Sequence, residues 1–273
     1  MVKTNTRLMI MLVVTLLVLA MGTGVGFCLP EVKEVVNGTA DIQVKDNSTM
    51  TIRASDKAII NYNSFNIMEN EAVMFDLPSS TSAILNRVVN PIPSQLLGTM
   101  NSNGIVILIN EAGIYVGPNA SINTAGLILS TRDLSNDRFL NGEYLFQRVS
   151  QDELDTLLLN NGNITIHSGG FGVLIAGAIE NSGLISAKLG TIMLASGKAV
   201  RLEFSGNRLI GVAIEMPEAK TILDYQGRPI TDQIKNTGTL NAEGGTVILK
   251  AKSINNVFTR VVNLGGTVKA THF

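Results

Sequence analysis

The side chains of this chain that could do acid–base chemistry are few and unevenly placed. Between residues 163 and 195 the only carboxylate is Glu180 and the only lysine is Lys188. The further carboxylates considered for catalysis fall within residues 132–161: Asp133, Asp137, Asp152, Glu153 and Asp155. A glycosidase needs two carboxylates roughly 5 to 10 Å apart, and a solvated surface segment explains this cluster more simply. The sequence therefore predicts no catalytic residues and no enzyme.

Metal, phosphate and nucleic-acid chemistry are also poorly supported. His167 and His272 are isolated, and the single Cys28 excludes a disulfide framework or a cysteine-rich zinc site. The glycines fall at strand corners and do not precede a helix, so they form no phosphate-binding loop. A net charge of −1 and a pI near 6.1 argue against a nucleic-acid partner. We predict no metal and no cofactor.

The segment 101–131 indicates which kind of secondary structure would position any functional side chain. Its sequence is NSNGIVILINEAGIYVGPNASINTAGLILST. Its apolar residues alternate over two to five positions, as Ile105, Ile107 and Ile109 do, which indicates short half-buried strands. Asn, Gly and Pro separate these strands and favour tight turns. Because no room is left for crossover helices, the chain must turn corners and stack on itself.

Composition and internal repeats agree with such a stack. Of 273 residues, 45% are hydrophobic, 5% aromatic and 16% charged, and 26 are glycine, a profile typical of an all-β protein with many turns. Gly162 and Gly183 lie 21 residues apart in similar contexts, and Gly238 and Gly266 begin further copies. One such repeat cannot bury its apolar side chains alone, whereas stacked repeats share a continuous core. Asn and Gly are expected at the corners, paired with like residues above and below.

The N-terminus has the anatomy of a secretory signal peptide. Lys3 and Arg7 precede an apolar stretch, and small residues at Gly26 and Cys28 predict cleavage before Leu29. We therefore expect a signal peptide over 1–28 and one domain over 29–273. An uncleaved anchor is a weaker alternative, and the bulky Phe27 disfavours lipidation of Cys28.

Three segments depart from the simple repeat. Residues 29–78 read as β segments that could cap the first turn of the stack. Residues 132–161 form an insertion, in which a capping-box order at 150–153 predicts a short helix near 151–159. Residues 199–204 and 209–214 predict a projecting β-hairpin, and 204–235 form a second insertion. Either insertion could be a binding surface. For residues 132–161 we favour a structural role, in which the leucines pack over one side of the stack.

Several blocks, in order, resemble a known family. They are NYNSFNI (61–67), ENEAVMF (69–75), SSTSAILNRV (79–88), PSQLLG (93–98) and the 101–131 segment. Together they are similar to the N-terminal secretion domain of filamentous-haemagglutinin-type exoproteins, over roughly residues 29–202. The resemblance implies a right-handed parallel β-helix, exported by its signal peptide through the periplasm and then secreted or held at the cell surface of a Gram-negative bacterium. It also implies a partner, an outer-membrane β-barrel transporter with periplasmic polypeptide-transport domains.

The resemblance also implies which residues matter. The family's Asn-Pro-Asn-Gly-Ile box appears here at 110–114 as NEAGI, so Asn110, Gly113 and Ile114 are retained while the proline and second asparagine are replaced. This box is either read directly by the transporter or only shapes a turn. The other matching blocks carry five further candidate positions: Asn86, Arg87, Asn101, Asn103 and Gly104.

The function predicted from these observations is non-enzymatic: targeting of an exoprotein to its transporter in two-partner secretion, and seeding of its extracellular folding. The first alternative is a surface adhesin that binds a host or neighbouring-cell glycan or protein, and the second is a carbohydrate-active β-helix enzyme. Family members usually continue for many more repeats than this chain, which ends at Phe273. A truncated product and a short complete protein both fit.

Overall fold

The protein is a parallel β-helix with three faces. The structure, a computed structural model, describes residues 28–149, 155–206 and 208–270. Alternating apolar residues and corner glycines make each short strand hydrogen-bond to the equivalent strand one turn along the stack. We call one such turn of the helix a rung. No helix within the described ranges is long and apolar enough to span a membrane.

The first face carries short strands with polar outward side chains. Its strands are β2 (Ala40–Lys45), β3 (Thr49–Ala54), β5 (Ala72–Asp76), β8 (Thr99–Ser102), the start of β11 (Ser121–Ser130), the start of β14 (Asn163–Ala176), β16 (Leu184–Ala187), β22 (Thr239–Asn241) and β25 (Thr267–Lys269). All neighbouring pairs on this face are parallel except β2 with β3, which is antiparallel.

The second face follows the first in each rung, and β11 and β14 bend across the corner between them. Its strands are β1 (Glu31–Asn37), β4 (Ala58–Ser64), β6 (Ala83–Val88), β9 (Ile105–Ile109), the ends of β11 and β14, β17 (Thr191–Ser196) and β23 (Thr246–Ala251). Here β1 pairs with β4 in the antiparallel sense. The predicted N-terminal cap is therefore present, because β1 and β2 both end the parallel stack with reversed strands.

The third face closes each rung. It contains β7 (Ser94–Leu96), β10 (Ile114–Val116), β13 (Asp155–Asn160), β15 (Ala178–Asn181), β21 (Asp232–Asn236) and β24 (Arg260–Leu264), with β20 (Ile222–Leu223) beside β13. Residues 155–159, predicted as part of a helix, are thus a strand, and that prediction is wrong there. Leu158 lies fully buried inside the stack and its backbone pairs with Ile114, so the parallel ladder outweighs the local capping-box signal. Residues 150–154 lie outside the described residues.

The interior of the helix is a continuous apolar column. Side chains from all three faces point inward, including Ile122 of the first face, Val106 and Leu127 of the second and Leu158 of the third. At the corners the glycine prediction is confirmed: a Cβ on Gly183 would lie 2.2 Å from the carbonyl oxygen of Gly162, one rung earlier. Only glycine lets the backbones of successive rungs approach this closely.

A second apolar cluster lies outside the second face. The insertion after β11 contains the helix α1 (Asn136–Asn141) and β12 (Leu145–Gln147), and the insertion after β17 contains β18 (Ala199–Ser205) and β19 (Arg208–Met216). The three strands of the two insertions form an antiparallel sheet in the order β12-β18-β19. The predicted hairpin is present, and it folds back over the second face. Its Val200 packs with Phe139 and Phe146 of the first insertion, and all three are fully buried.

Candidate functional site

The corner at residues 110–114 is built around the side chain of Asn110, which is 1% exposed. Its Nδ2 donates to the carbonyl oxygen of Ile92 and to the hydroxyl of Ser94, each at 2.9 Å, and Oδ1 accepts the N–H of Ala112 at 2.9 Å. Ile92 and Ser94 belong to the equivalent corner one rung earlier. Asn110 therefore shapes its own turn and also locks two successive rungs together.

Gly113 and Ile114 complete this corner in different ways. Gly113 has a φ of 122°, which favours glycine, and its carbonyl oxygen accepts the N–H of Ser94 at 3.0 Å. The side chain of Ile114 points into the core and is fully buried. Glu111 and Ala112, which replace the proline and asparagine of the family's box, are the partly exposed residues of the corner, and Glu111 accepts the N–H of Val149 at 2.8 Å.

Asn103 and Gly104 form a second corner, between β8 and β9. The amide of Asn103 makes a reciprocal pair with the backbone of Leu77 one rung earlier, donating at 2.7 Å and accepting at 2.8 Å. A Cβ on Gly104 would lie 2.7 Å from the carbonyl oxygen of Ser82. These two residues therefore fix the distance between rungs, as Asn110 does.

Asn86 lies inside the stack and is fully buried. Its Oδ1 accepts the hydroxyl of Tyr62 at 2.9 Å, and its Nδ2 donates to the carbonyl oxygen of Ile107 at 3.2 Å. Burial raises the pKa of Tyr62, so the phenol stays protonated and keeps donating. The pair joins the first three rungs through the core.

Arg87 points the other way, onto the outside of the second face. Its guanidinium donates to Oδ1 of Asp133 at 2.7 Å, Oδ1 of Asn136 at 2.9 Å and the carbonyl oxygen of Leu134 at 2.7 Å. All three acceptors belong to the first insertion. Arg87 thus holds that insertion against the stack.

The eight predicted positions do not converge on one cleft. Five lie at two corners, Asn86 lies in the core, and Arg87 fastens an insertion. Asn101 is half-buried on the first face, in register with Met74 and Asn123 of the neighbouring strands. Apart from Arg87, they lie in the first three rungs at positions that contact or pair with a neighbouring rung.

Two buried arrangements lie outside the eight predicted positions. The first is the expected pairing of like residues at the corners: Asn160, Asn181 and Asn236 form a buried ladder, in which each Nδ2 donates to the next Oδ1 at 2.7 and 2.6 Å. The sequence did not identify these members, although Asn160 and Asn181 each lie two residues before a repeated glycine, Gly162 or Gly183. The second arrangement is a buried ion pair between Arg132 and Glu218, 86 residues apart in sequence, for which the sequence carried no signal.

The carboxylates considered for catalysis do not form a described pair. Asp133 pairs with Arg87, Asp137 is exposed on α1, and Asp152 and Glu153 lie outside the described residues. A cavity of about 300 Å³ on the third face is lined by Glu180 and Asp232 among others. Glu180 binds Lys235 at 2.7 Å and Asp232 binds Arg260 at 2.5 Å. Residues 28–149, 155–206 and 208–270 contain no cluster of three or more histidine, cysteine or acidic side chains that could hold a metal ion.

Comparison with known proteins gives the same fold and identifies its family. The family model described as "TPS secretion domain" matches residues 28–273. A heme/hemopexin-binding protein of Haemophilus influenzae strain ATCC 51907 / DSM 11121 / KW20 / Rd is 30% identical over 241 residues, 85% of this chain and 26% of that protein. A second H. influenzae heme/hemopexin-binding protein is 33% identical over 145 residues, 51% of this chain and 16% of that protein.

Among solved structures, the HMW1 secretion domain from Haemophilus influenzae superposes with a TM-score of 0.70 and is 31% identical, covering 88% of this chain and 66% of that one. The present chain spans about a quarter or less of the length of the two heme/hemopexin-binding relatives. Domains of this kind are exported and are secreted or exposed at the cell surface, and they imply an outer-membrane transporter as partner. On the match over residues 28–273, the chain belongs to the TPS secretion domain family.

Proposed function

We propose that this domain directs an exoprotein to its cognate outer-membrane transporter and seeds the folding of that exoprotein outside the cell, without catalysing a reaction. The observation that carries the proposal is the burial of the three residues retained in the 110–114 box. Asn110 is 1% exposed, Ile114 is fully buried and Gly113 is buried, so a folded domain exposes almost nothing of these three residues to a partner. A transporter that reads these side chains must therefore meet them in the unfolded chain, before the corner forms.

The seeding role follows from the difference between the first rung and those after it. Antiparallel strands β1 and β2 close the N-terminal end of the stack, while each later rung pairs in parallel with the one before it. In such a stack, stability accumulates from contacts between neighbouring rungs. Each rung that folds outside the membrane then stabilises the next, and this opposes the return of the chain through the transporter.

The test is export of the chain from cells with and without the transporter, with Asn110→Ala as the informative variant. Folding is measured separately on protein refolded in vitro, by far-UV circular dichroism and protease resistance. The matched control is Asn123→Ala, because Asn123 is exposed on the first face and is not one of the candidate positions. We expect secretion to require the transporter and Asn110→Ala to fold but be secreted poorly.

Other outcomes separate the two roles of the box. Secretion without the transporter would refute the targeting role. An Asn110→Ala chain that fails to fold in vitro would make the residue a structural corner only. Normal secretion of a folded Asn110→Ala chain would show that the transporter does not recognise Asn110.

A second candidate function comes from the names of the relatives, which are heme/hemopexin-binding proteins. An exoprotein carrying this domain could capture haem or hemopexin. In the described part of this chain, His167 is exposed on β14 and no metal-binding cluster surrounds it. We therefore place any such binding outside this domain; haem titration followed at the Soret band should show no saturable binding to the purified domain.

A further inference from the structure

The N-terminal end of the described chain is tied to a buried carboxylate. The backbone N–H of Cys28 donates to Oε1 of Glu71 at 2.5 Å, and the N–H of Met68 donates to Oε2 of the same side chain at 2.8 Å. Glu71 is only 4% exposed. Its two oxygens thus depend on two backbone donors, one of which lies at the boundary of the predicted signal peptide.

Glu71 is held rigidly in this position. Its own N–H donates to the carbonyl oxygen of Met68 at 2.9 Å, and its carbonyl oxygen accepts the N–H of Thr99 one rung later, also at 2.9 Å. Asn66 adds a contact to Cys28, donating to its Sγ at 3.7 Å. Cys28 is therefore part of the folded domain, fastened to the corner that joins the first two rungs.

Within residues 20–29, four peptide bonds satisfy the preference of signal peptidase for small residues at the first and third positions before the cut. They are Gly22–Thr23, Gly24–Val25, Gly26–Phe27 and Cys28–Leu29. Cleavage at Cys28–Leu29 would remove the N–H donor of Cys28 from Glu71, whereas cleavage at any of the other three bonds would keep it. A buried carboxylate that loses a hydrogen-bond donor destabilises the fold.

We propose that the signal peptide is removed by hydrolysis of a bond before Cys28, so that the exported chain keeps Cys28 and Glu71 acts as the receptor for the N-terminal segment of the exported chain. Water adds across the scissile amide, leaving a carboxylate on the released peptide and an ammonium on the exported chain. The family match, which includes Cys28, agrees with this proposal. The exported domain then carries one thiol, that of Cys28, which is exposed.

The first test is the mass of the exported chain, made from the full sequence and recovered after export. N-terminal sequencing should give Thr23, Val25 or Phe27 as the first residue, and maleimide treatment should add one label per chain. A chain that begins at Leu29 and takes up no label would overturn the proposal.

The second test asks whether Glu71 acts through the segment that contains Cys28. Glu71→Gln is made in the exported chain and in a variant that begins at Leu29, and thermal unfolding is measured for all four proteins. We expect Glu71→Gln to lower Tm by about 2–4 °C in the chain that keeps Cys28, the shift typical of losing one such contact in a domain of this size. The same substitution should change Tm much less when Cys28 is absent.

The matched control is Glu69→Gln, because Glu69 is exposed and its side chain accepts only a surface contact from Asn119, at 3.3 Å. It should leave Tm unchanged in both backgrounds. If Glu71→Gln lowered Tm equally with and without Cys28, the carboxylate would stabilise only the corner that contains Glu71. That result would refute its role as receptor for the N-terminal segment.

Discussion

The guanidinium of Arg132 donates to a carboxylate oxygen of Glu218 at 2.8 Å, and the two side chains are 0% and 1% exposed. Arg132 begins the first insertion, and Glu218 follows the hairpin of the second. Both insertions leave the stack at the corner between the second and third faces, so this pair fastens their ends together. The carbonyl oxygen of Gly197, at the start of the second insertion, also accepts from Arg132, at 3.0 Å.

Replacing Glu218 by glutamine should therefore destabilise the domain strongly. The substitution removes the charge of Glu218 from its contact with the buried guanidinium, and breaking a buried ion pair costs about 3–5 kcal/mol. Urea unfolding followed by circular dichroism measures the loss. The control is Glu215→Gln, because Glu215 pairs with Arg201 at 2.7 Å but both side chains are more than 40% exposed; its effect should stay below about 1 kcal/mol. Equal effects of the two variants would mean that burial of the Arg132–Glu218 pair is unimportant.

Arg87→Met should loosen the first insertion without unfolding the stack. The variant removes three strong hydrogen bonds to residues 133–136, while the β-ladder of β6 depends on backbone groups that remain. We expect proteolysis within residues 134–149 to become at least several-fold faster, because local opening becomes easier. Arg53→Met is the control, since Arg53 pairs with Asp76 at 3.3 Å on the exposed first face. Unchanged cleavage in Arg87→Met would contradict the fastening role.

The asparagine ladder should respond non-additively to substitution. Asn181→Val removes the hydrogen bond from Nδ2 of Asn160, which keeps only a 3.4 Å contact with the carbonyl oxygen of Gly162. It also removes the donor to the buried Oδ1 of Asn236, and a buried group that loses its partner costs about 1–3 kcal/mol. Valine fits this column, because Val116 occupies it one rung before Asn160. The triple Asn→Val variant at 160, 181 and 236 should therefore lose less free energy of unfolding than the sum of the three single variants. A strictly additive result would show that the amides do not act as a ladder.

Low pH should destabilise the last described rungs, because protonation of Asp232 removes a charge that stabilises them. Burial alone would raise the pKa of this carboxyl, but hydrogen bonds from Arg260 and Asn263 and the charges of Arg260 and Lys235 outweigh it and lower the pKa. A lowered folded-state pKa means that this stabilisation is complete above the ordinary value of 3.8 and is lost as pH falls below it.

The measurement is urea unfolding of the wild type and Asp232→Asn between pH 7 and pH 2.5. The variant should be less stable at pH 7, and the difference between the two proteins should shrink as the pH falls below about 4. A difference that stays constant with pH would exclude Asp232 as the titrating group.

Much of the fold could be predicted from the sequence because its signals are local. Alternation in residues 105–109 and the repeated Asn-Gly corners identify short stacked strands, since each rung meets the same steric and burial requirements. The corner positions of Asn110, Gly113 and Gly104 followed from the same reasoning. What they do there could not be predicted, because Asn110 acts on Ile92 and Ser94 of the previous rung.

By itself, the sequence determined the repeat, its glycine corners and the two places where the repeat is interrupted. Only the tertiary structure decided that residues 155–160 are a strand, that both insertions cover the second face, and that Arg132 meets Glu218. The physical reason is that these features depend on partners far away in the chain. The parallel ladder with β10 and β15 satisfies the backbone of β13, and a buried charge requires a counter-charge wherever the fold supplies one.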